Sequence, residues 1–351
     1  MNFQLISSGA RTFGHDRSLI FMICLATLTT TAVAPYVAFA QSPDVSESNV
    51  CTLDIVLDTG FDYATSLDLG SPGPFTVAQV SSSGTQNGRV TPWVANYPTG
   101  ASAAPIVLFV PGFSLPSSLY QAWTAHLASW GYVAVRADPP SSFSSVDEPA
   151  MVLDLRNVVT QITSPGTLPI SVDAARIAMS GHSLGGKLAL SVAAADARVK
   201  AVFVFDPVNG AGPSGYSPTR PNIVPQPVAS ITVPIGILGE LLDSAGASMA
   251  CAPASMNYQT IYSAAMGAPL VYEWTLAGAS HTSFVPDQAS CGVSCSFCQP
   301  ATLAAAETFT FMRSSAVAFL RTHLTDNPRS CPWLTGGKLP SFVTIRERAL
   351  P

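Results

Sequence analysis

The sequence predicts an α/β fold, a mostly parallel central sheet with helices on both faces. Three observations carry that expectation. Apolar runs of strand length recur at residues 105–113, 132–137, 199–205 and 270–276. Unbroken runs of this kind suit parallel strands buried on both faces rather than strands with one wet side. Segments with helical apolar spacing lie between several of them, and strand–helix alternation builds a parallel sheet with right-handed crossovers. Between the second and third runs, residues 176–190 read as a short strand, a glycine-flanked turn and a helix.

Taken in order, residues 75–80 and 89–95 are two short strands. The Asn87–Gly88 pair between them is a turn signal, so the sheet is expected to begin antiparallel. The run at 105–113 ends in Pro111 and Gly112. Helical spacing follows over 118–130, stopped at Gly131, and the strand at 132–137 comes next. Residues 150–162 have helical spacing with Pro149 near their start, a position that tolerates proline. The strand at 176–179 leads into a helix to about Ala195. After the strand at 199–205, residues 208–230 form a proline- and glycine-rich connection without a clear helix. Strands are expected at 231–239 and 270–276, a long helix over 301–323, and a polar tail over 326–351.

Composition bounds the function. The chain has 351 residues, 48% of them hydrophobic and only 11% charged, with a net charge of -5 and three lysines, Lys187, Lys200 and Lys338. That is too apolar for a disordered chain and too poor in cations to bind nucleic acid. Arg11 and Arg17 precede an apolar run, and Ala38, Phe39 and Ala40 give an A-x-A-like end, so residues 1–40 are expected to be a secretory signal peptide. Thr29–Thr31 and Pro35 make this run short for a membrane span, so no stable span is expected after cleavage. The expected destination is secreted or periplasmic, with an organelle-targeting leader as the other reading. Residues 41–74 read as an extended segment, and 75–325 as the catalytic domain.

Cysteine usage agrees with export. Beyond Cys24 in the leader, six remain: Cys51, Cys251, Cys291, Cys295, Cys298 and Cys331. An even number in an exported chain points to as many as three disulfides, although their pairing is open. The spacing of Cys291, Cys295 and Cys298 also allows a metal site, but with no histidine beside it and no second Cys-x-x-Cys pair this is the weaker reading.

Gly181, His182, Ser183, Leu184 and Gly185 fit G-x-S-x-G. In the α/β-hydrolase fold this pattern is the nucleophile elbow, where the serine sits on a sharp strand-to-helix turn with its hydroxyl exposed above the sheet. A serine hydroxyl is a weak nucleophile, so it needs a base, and the base needs an orienting carboxylate. Only His281 and His323 follow Ser183 in the chain. His281 lies in the loop after the last predicted strand and is the expected base. His323, near the end of the long helix, is explained by a cationic cap. His182 and His126 are expected to be structural. For the acid, Asp206 ends the strand after the elbow helix, while Glu240 and Asp243 follow the next strand. All three open on the same sheet edge, so the residues themselves leave the choice open. Backbone N–H groups of Phe113 and Leu184 are the expected oxyanion hole. This chemistry needs no metal or organic cofactor.

Five blocks in succession resemble chlorophyllases, a branch of the α/β-hydrolases that includes more general esterases. They are Phe109 to Phe113 with Leu119, Tyr120 and residues 127–132; Gly181 to Lys187; Phe205 to Gly210; residues 234–239 with Cys251, Pro253 and Asn257 downstream; and the His281 loop with the cysteines and terminal helix after it. Together they cover about residues 75–323. The resemblance implies Ser183 as nucleophile, Asp206 as acid and His281 as base, acting on a lipophilic carboxylic ester such as the phytyl ester of chlorophyll. The position of Asp206 is also that of the acid in secreted platelet-activating-factor acetylhydrolases. Bacterial polyester hydrolases are similar at the elbow but usually place the acid one strand later. The chain departs from plant chlorophyllases at Leu184, where they usually carry arginine. A general carboxylesterase, a lipase, a polyester hydrolase, and a non-catalytic lipid- or pigment-binding protein on the same scaffold are the competing readings.

Overall fold

A computed structural model describes Cys51 and residues 68–141, 145–210, 216–244 and 251–350. The leader expected over 1–40 and most of the segment expected over 41–74 lie outside the described residues. The described chain is built around one nine-stranded sheet. Its strands are β1 (Val77–Gln86), β2 (Arg89–Pro98), β3 (Ala104–Val110), β4 (Val133–Ala137), β5 (Val172–His182), β6 (Val199–Phe205), β7 (Ile235–Glu240), β8 (Leu270–Leu276) and β9 (Val343–Ala349). The spatial order is β1-β2-β4-β3-β5-β6-β7-β8-β9. Strands from β4 to β8 pair in parallel, while β1, β2 and β9 pair antiparallel at the two edges.

Alternation along each strand divides the apolar interior in two. Ile106, Leu108 and Val110 of β3 face one core, and Val107 and Phe109 face the other. The helices are α1 (Gln121–Ser129), α2 (Glu148–Ile162), α3 (Leu184–Ala195), α4 (Tyr258–Ala264), α5 (Gln288–Cys291) and α6 (Ala305–His323). Leu155 and Val159 of α2, Leu188 of α3 and Ile261 of α4 fill the first core. Trp123 and Leu127 of α1 fill the second with Met312, Val317 and Phe319 of α6. Strands β3, β4, β7 and β8 are buried along their whole length because both faces carry helices.

The hairpin forms where Asn87–Gly88 predicts it, with both residues at positive φ, but its strands continue through the serine-rich stretch as far as Gln86. Helix α2 starts at an Asp147 cap whose side chain accepts from the Ala150 N–H at 3.0 Å. Pro234 precedes β7, which begins at Ile235 rather than at residue 231. The segment expected as a polar tail instead supplies β9, which pairs with β8 and carries Arg346 onto the buried Glu273. His323 is not a cationic cap. It packs against Phe319 and Tyr272, with ring centroids 4.8 and 5.6 Å away, and burial pushes it down to about 4. The six cysteines other than Cys24 pair as Cys51–Cys331, Cys251–Cys298 and Cys291–Cys295. Among the described residues no helix is long and apolar enough to cross a membrane.

Strand order reverses at β3: the chain moves from β3 to β4 on one side and returns to β5 on the other. In open α/β sheets such a switch point leaves a crevice beyond the carboxyl ends of the strands. The loop after β3 and the turn after β5 both open into it.

Candidate functional site

Ser183 lies between the end of β5 and the start of α3, with φ 56° and ψ -121°. A non-glycine residue in that region is strained, and the surroundings fix it there. The Ser183 N–H donates to the Phe205 carbonyl at 3.0 Å, and the Ser183 carbonyl accepts from Lys187 at 3.1 Å. The glycines on either side permit close packing of the turn. A side chain on Gly185 would collide with the Val110 carbonyl, and one on Gly181 with the Gly185 backbone. Gly181 and Gly185, two residues to either side, therefore let the chain turn tightly enough to stand Ser183 over the sheet.

Asp206 follows β6, and its N–H donates to Leu238 of β7 at 2.7 Å. Its φ of 39° turns the chain off the strand. His281 opens a short 3₁₀ turn after β8, held by reciprocal bonds between Ser280 and Ser283. These three segments bring the side chains into line. His281 Nε2 is 2.9 Å from Ser183 Oγ, and His281 Nδ1 is 2.5 Å from Asp206 Oδ2. Ionised Asp206 only accepts, so the proton is assigned to Nδ1 and Nε2 is left to accept from the serine hydroxyl.

All three side chains are buried. Burial pushes His281 below its ordinary value of 6.5, while the nearby Asp243 and Glu240 charges act in the opposite sense. The imidazole is thus neutral at neutral pH, the state in which it can take a proton. Burial also pushes the Asp206 carboxyl well above its ordinary range, with the Asp243 charge adding to it. The short bond from Nδ1–H favours the carboxylate and opposes both effects.

Glu240 and Asp243, the other acid candidates, are fully buried but occupied elsewhere. Glu240 Oε2 accepts from the Asp243 N–H at 3.0 Å, and Asp243 Oδ1 accepts from the Gln299 N–H at 3.2 Å. Burial, then the charge of Asp206, pushes Glu240 up to about 8.

The loop after β3 lies against the serine. A side chain at Gly112 would meet His182 Nδ1 at 3.1 Å and Ser183 Cβ at 3.4 Å. Phe113 is therefore beside the site, its side chain partly exposed. Leu184 opens α3, so its N–H is among the first-turn donors without an intrahelical acceptor.

Two features were not legible in the sequence. The Tyr120 hydroxyl lies 2.7 Å from His182 Nδ1, and His182 Nε2–H donates to the His281 carbonyl at 2.9 Å. His182 is structural, as expected, but its task is specific: it ties the start of α1 to the His281 loop. Lys187 forms a buried ion pair with Glu148 at 2.7 Å and also reaches the Gly210 carbonyl at 3.3 Å, joining α2, α3 and the loop after Asp206. The cysteines of the 291–298 cluster are taken up in disulfides, Cys298 with Cys251 and Cys291 with Cys295.

Comparison with known proteins places the chain in a family. Over 183 residues the chain is 31% identical to Chlorophyllase-1 of Arabidopsis thaliana, covering 47% of this chain and 55% of that one. It is 28% identical over 189 residues to Chlorophyllase type 0 of Chenopodium album, covering 49% and 53%. It is 24% identical over 212 residues to Lipase 1 of Moraxella sp. (strain TA144), covering 58% and 63%. The chain spans about half the length of these chlorophyllases. The family profile of the chlorophyllases matches residues 69–339, which takes in the whole sheet up to β8, the elbow, the two acid-bearing strand ends and the His281 loop. On that match the chain belongs to the chlorophyllase family.

Proposed function

We infer that the protein is a serine ester hydrolase acting on a lipophilic carboxylic ester through an acyl-enzyme. The observation that carries the reading is the hydrogen-bonded line from Ser183 through His281 to Asp206. His281 Nε2 takes the serine proton as Oγ attacks the ester carbonyl, and Asp206 holds the imidazole in the required tautomer and stabilises the imidazolium. The N–H groups of Phe113 and Leu184 stabilise the oxyanion, a contribution of about 3 kcal/mol for each donor judged by its removal. His281 then protonates the departing alcohol, and water releases the acid by the same steps in reverse.

Family membership and the names of the relatives support a phytyl ester of chlorophyll as one substrate, giving chlorophyllide and phytol. The match to a lipase and Leu184 in the position after the serine support a second reading, a broader carboxylesterase or lipase. Ser183→Ala is expected to abolish hydrolysis of every ester and labelling by a fluorophosphonate, with an unchanged melting transition. Hydrolysis that survives this change overturns the serine mechanism. Parallel assays on chlorophyll, short acyl esters, long-chain acylglycerols and polyester film separate the substrate readings.

A further inference from the structure

A cavity of about 550 Å³ opens beside the oxyanion loop, and His281 is not among its described lining residues. Its walls come from the start of β2 (Val90, Pro92), the loops after β3 and β4 (including Pro139 and Pro140), Met151 of α2, and Leu184. In the sheet, β2, β4 and β3 lie on one side of β5, while β6, β7 and β8 lie on the other. His281 comes from the β8 side. Apart from Leu184, the described lining comes entirely from the opposite side.

That arrangement distinguishes the two halves of an ester. The alcohol oxygen must face His281 Nε2 to receive its proton, so the alcohol leaves toward β6–β8. The oxyanion faces Phe113 and Leu184. The remaining substituent on the carbonyl carbon is directed toward β3, β4 and β2. We propose that the cavity between the β3 loop, Pro139–Pro140 and Met151 is the acyl pocket, and that it selects an uncharged, apolar acyl group. The assignment rests on the serine mechanism above.

The lining supplies the selectivity. It is mostly proline and aliphatic, and it holds no lysine or arginine among the described residues. Its one carboxylate, Asp138, has both oxygens engaged by Ser117, one accepting from the N–H at 2.9 Å and the other from the hydroxyl at 2.6 Å. An acyl chain ending in a carboxylate would lose its water there and meet a like charge, while the cation beside the wall, Arg89, is already held by Asp154 at 2.8 Å and the Pro140 carbonyl at 2.9 Å. An alkyl chain would gain up to about fourfold in kcat/KM for each methylene it buries.

The test uses the full chain and two matched ester series. One extends the acyl group from acetyl to octanoyl on a fixed p-nitrophenol; the other extends the alcohol from ethyl to octyl on a fixed acetate. The acyl series is expected to gain at least about tenfold in kcat/KM, and an octanoyl chain capped by a terminal carboxylate to lose that gain. Met151→Trp, which fills the cavity, should flatten the acyl profile and leave the slope of the alcohol profile unchanged. Val90→Trp, at a half-exposed rim position that the fold tolerates, should do the same if the buried change prevents folding. A flat acyl profile in the wild type, or a Met151→Trp or Val90→Trp variant that flattens the alcohol profile instead, overturns the assignment while the serine still labels with fluorophosphonate. Absence of labelling at Ser183 in the wild type defeats the mechanism itself and the pocket assignment with it.

Discussion

Asp206→Asn preserves the size of a fully buried side chain and changes its hydrogen bonding. The carboxylate accepts the Nδ1–H of His281 at 2.5 Å. An amide turned with its NH₂ toward Nδ1 donates instead, which drives the imidazole proton to Nε2, where it can no longer accept from Ser183 Oγ, 2.9 Å away. An amide turned the other way accepts as a neutral group and gives up the charge-assisted part of the bond. Loss of the correct tautomer costs about 10⁴-fold in kcat in a serine–histidine–aspartate site, or about 5 kcal/mol of transition-state stabilisation. Removing a buried charge relieves desolvation, so the melting temperature should not fall. Glu240→Gln and Asp243→Asn are the controls. Neither carboxylate bonds to His281, so each change should reduce kcat less than about tenfold. The Asp243 charge favours the imidazolium, so Asp243→Asn should move the acidic limb of kcat/KM to lower pH, whereas Glu240, pushed up to about 8, is already neutral there and Glu240→Gln should leave the limb in place. In the wild type that limb has its midpoint below 6.5, because burial lowers His281 and activity requires the deprotonated base. The assay is steady-state hydrolysis of a soluble short-chain ester from pH 4 to 9, with active sites counted by fluorophosphonate. An Asp206→Asn enzyme that retains more than a tenth of wild-type kcat, or an Asp243→Asn enzyme with the 10⁴-fold loss, refutes Asp206 as the acid.

Three further outcomes are expected. His323 is lowered to about 4 by burial, so the unfolded chain binds its proton first as pH falls; the stability it contributes is complete above 6.5, declines toward pH 4 and then levels off, a loss of about 3 kcal/mol. His323→Phe should flatten that part of the melting-temperature profile, and an unchanged slope counts against it. Lys187→Met leaves Glu148 buried without its partner and should destabilise by about 3–5 kcal/mol in a denaturant titration, whereas pairing it with Glu148→Leu should recover much of the loss. A double variant no better than the single one defeats this account. Tyr120→Phe leaves His182 Nδ1 as a buried acceptor without a donor, at a cost of about 1–3 kcal/mol, and loosens the His281 carbonyl anchor, so both melting temperature and kcat should fall.

Local chemistry was the legible part. The elbow could be read because Gly181, Ser183 and Gly185 are close in sequence, and their steric demands act within one turn. His281 could be read from chain order and its place after a buried strand. Strand β9 escaped because its alternation is short and mostly polar: one edge pairs with β8, and Arg346 and Arg348 turn to Glu273 and the Ala265 carbonyl. Tyr120 escaped because its bond to His182 joins residues 62 positions apart, and no local pattern encodes that. The disulfide partners escaped for the same reason, since composition limits how many bridges form but not which thiols meet.

The buried strands, the serine on its turn and the histidine after β8 follow from the sequence, since each depends on burial and steric fit over a few neighbouring residues. Which carboxylate meets that histidine was left open by the residues' own pattern and named only through the family resemblance. Asp206, Glu240 and Asp243 all sit at adjoining strand ends, equal in type and edge. The positive φ at Asp206, and the local bonds that occupy Glu240 and Asp243, aim only one of them at Nδ1. That direction is set by packing between β6, β7 and the loop after β8, so it exists only once the sheet is assembled.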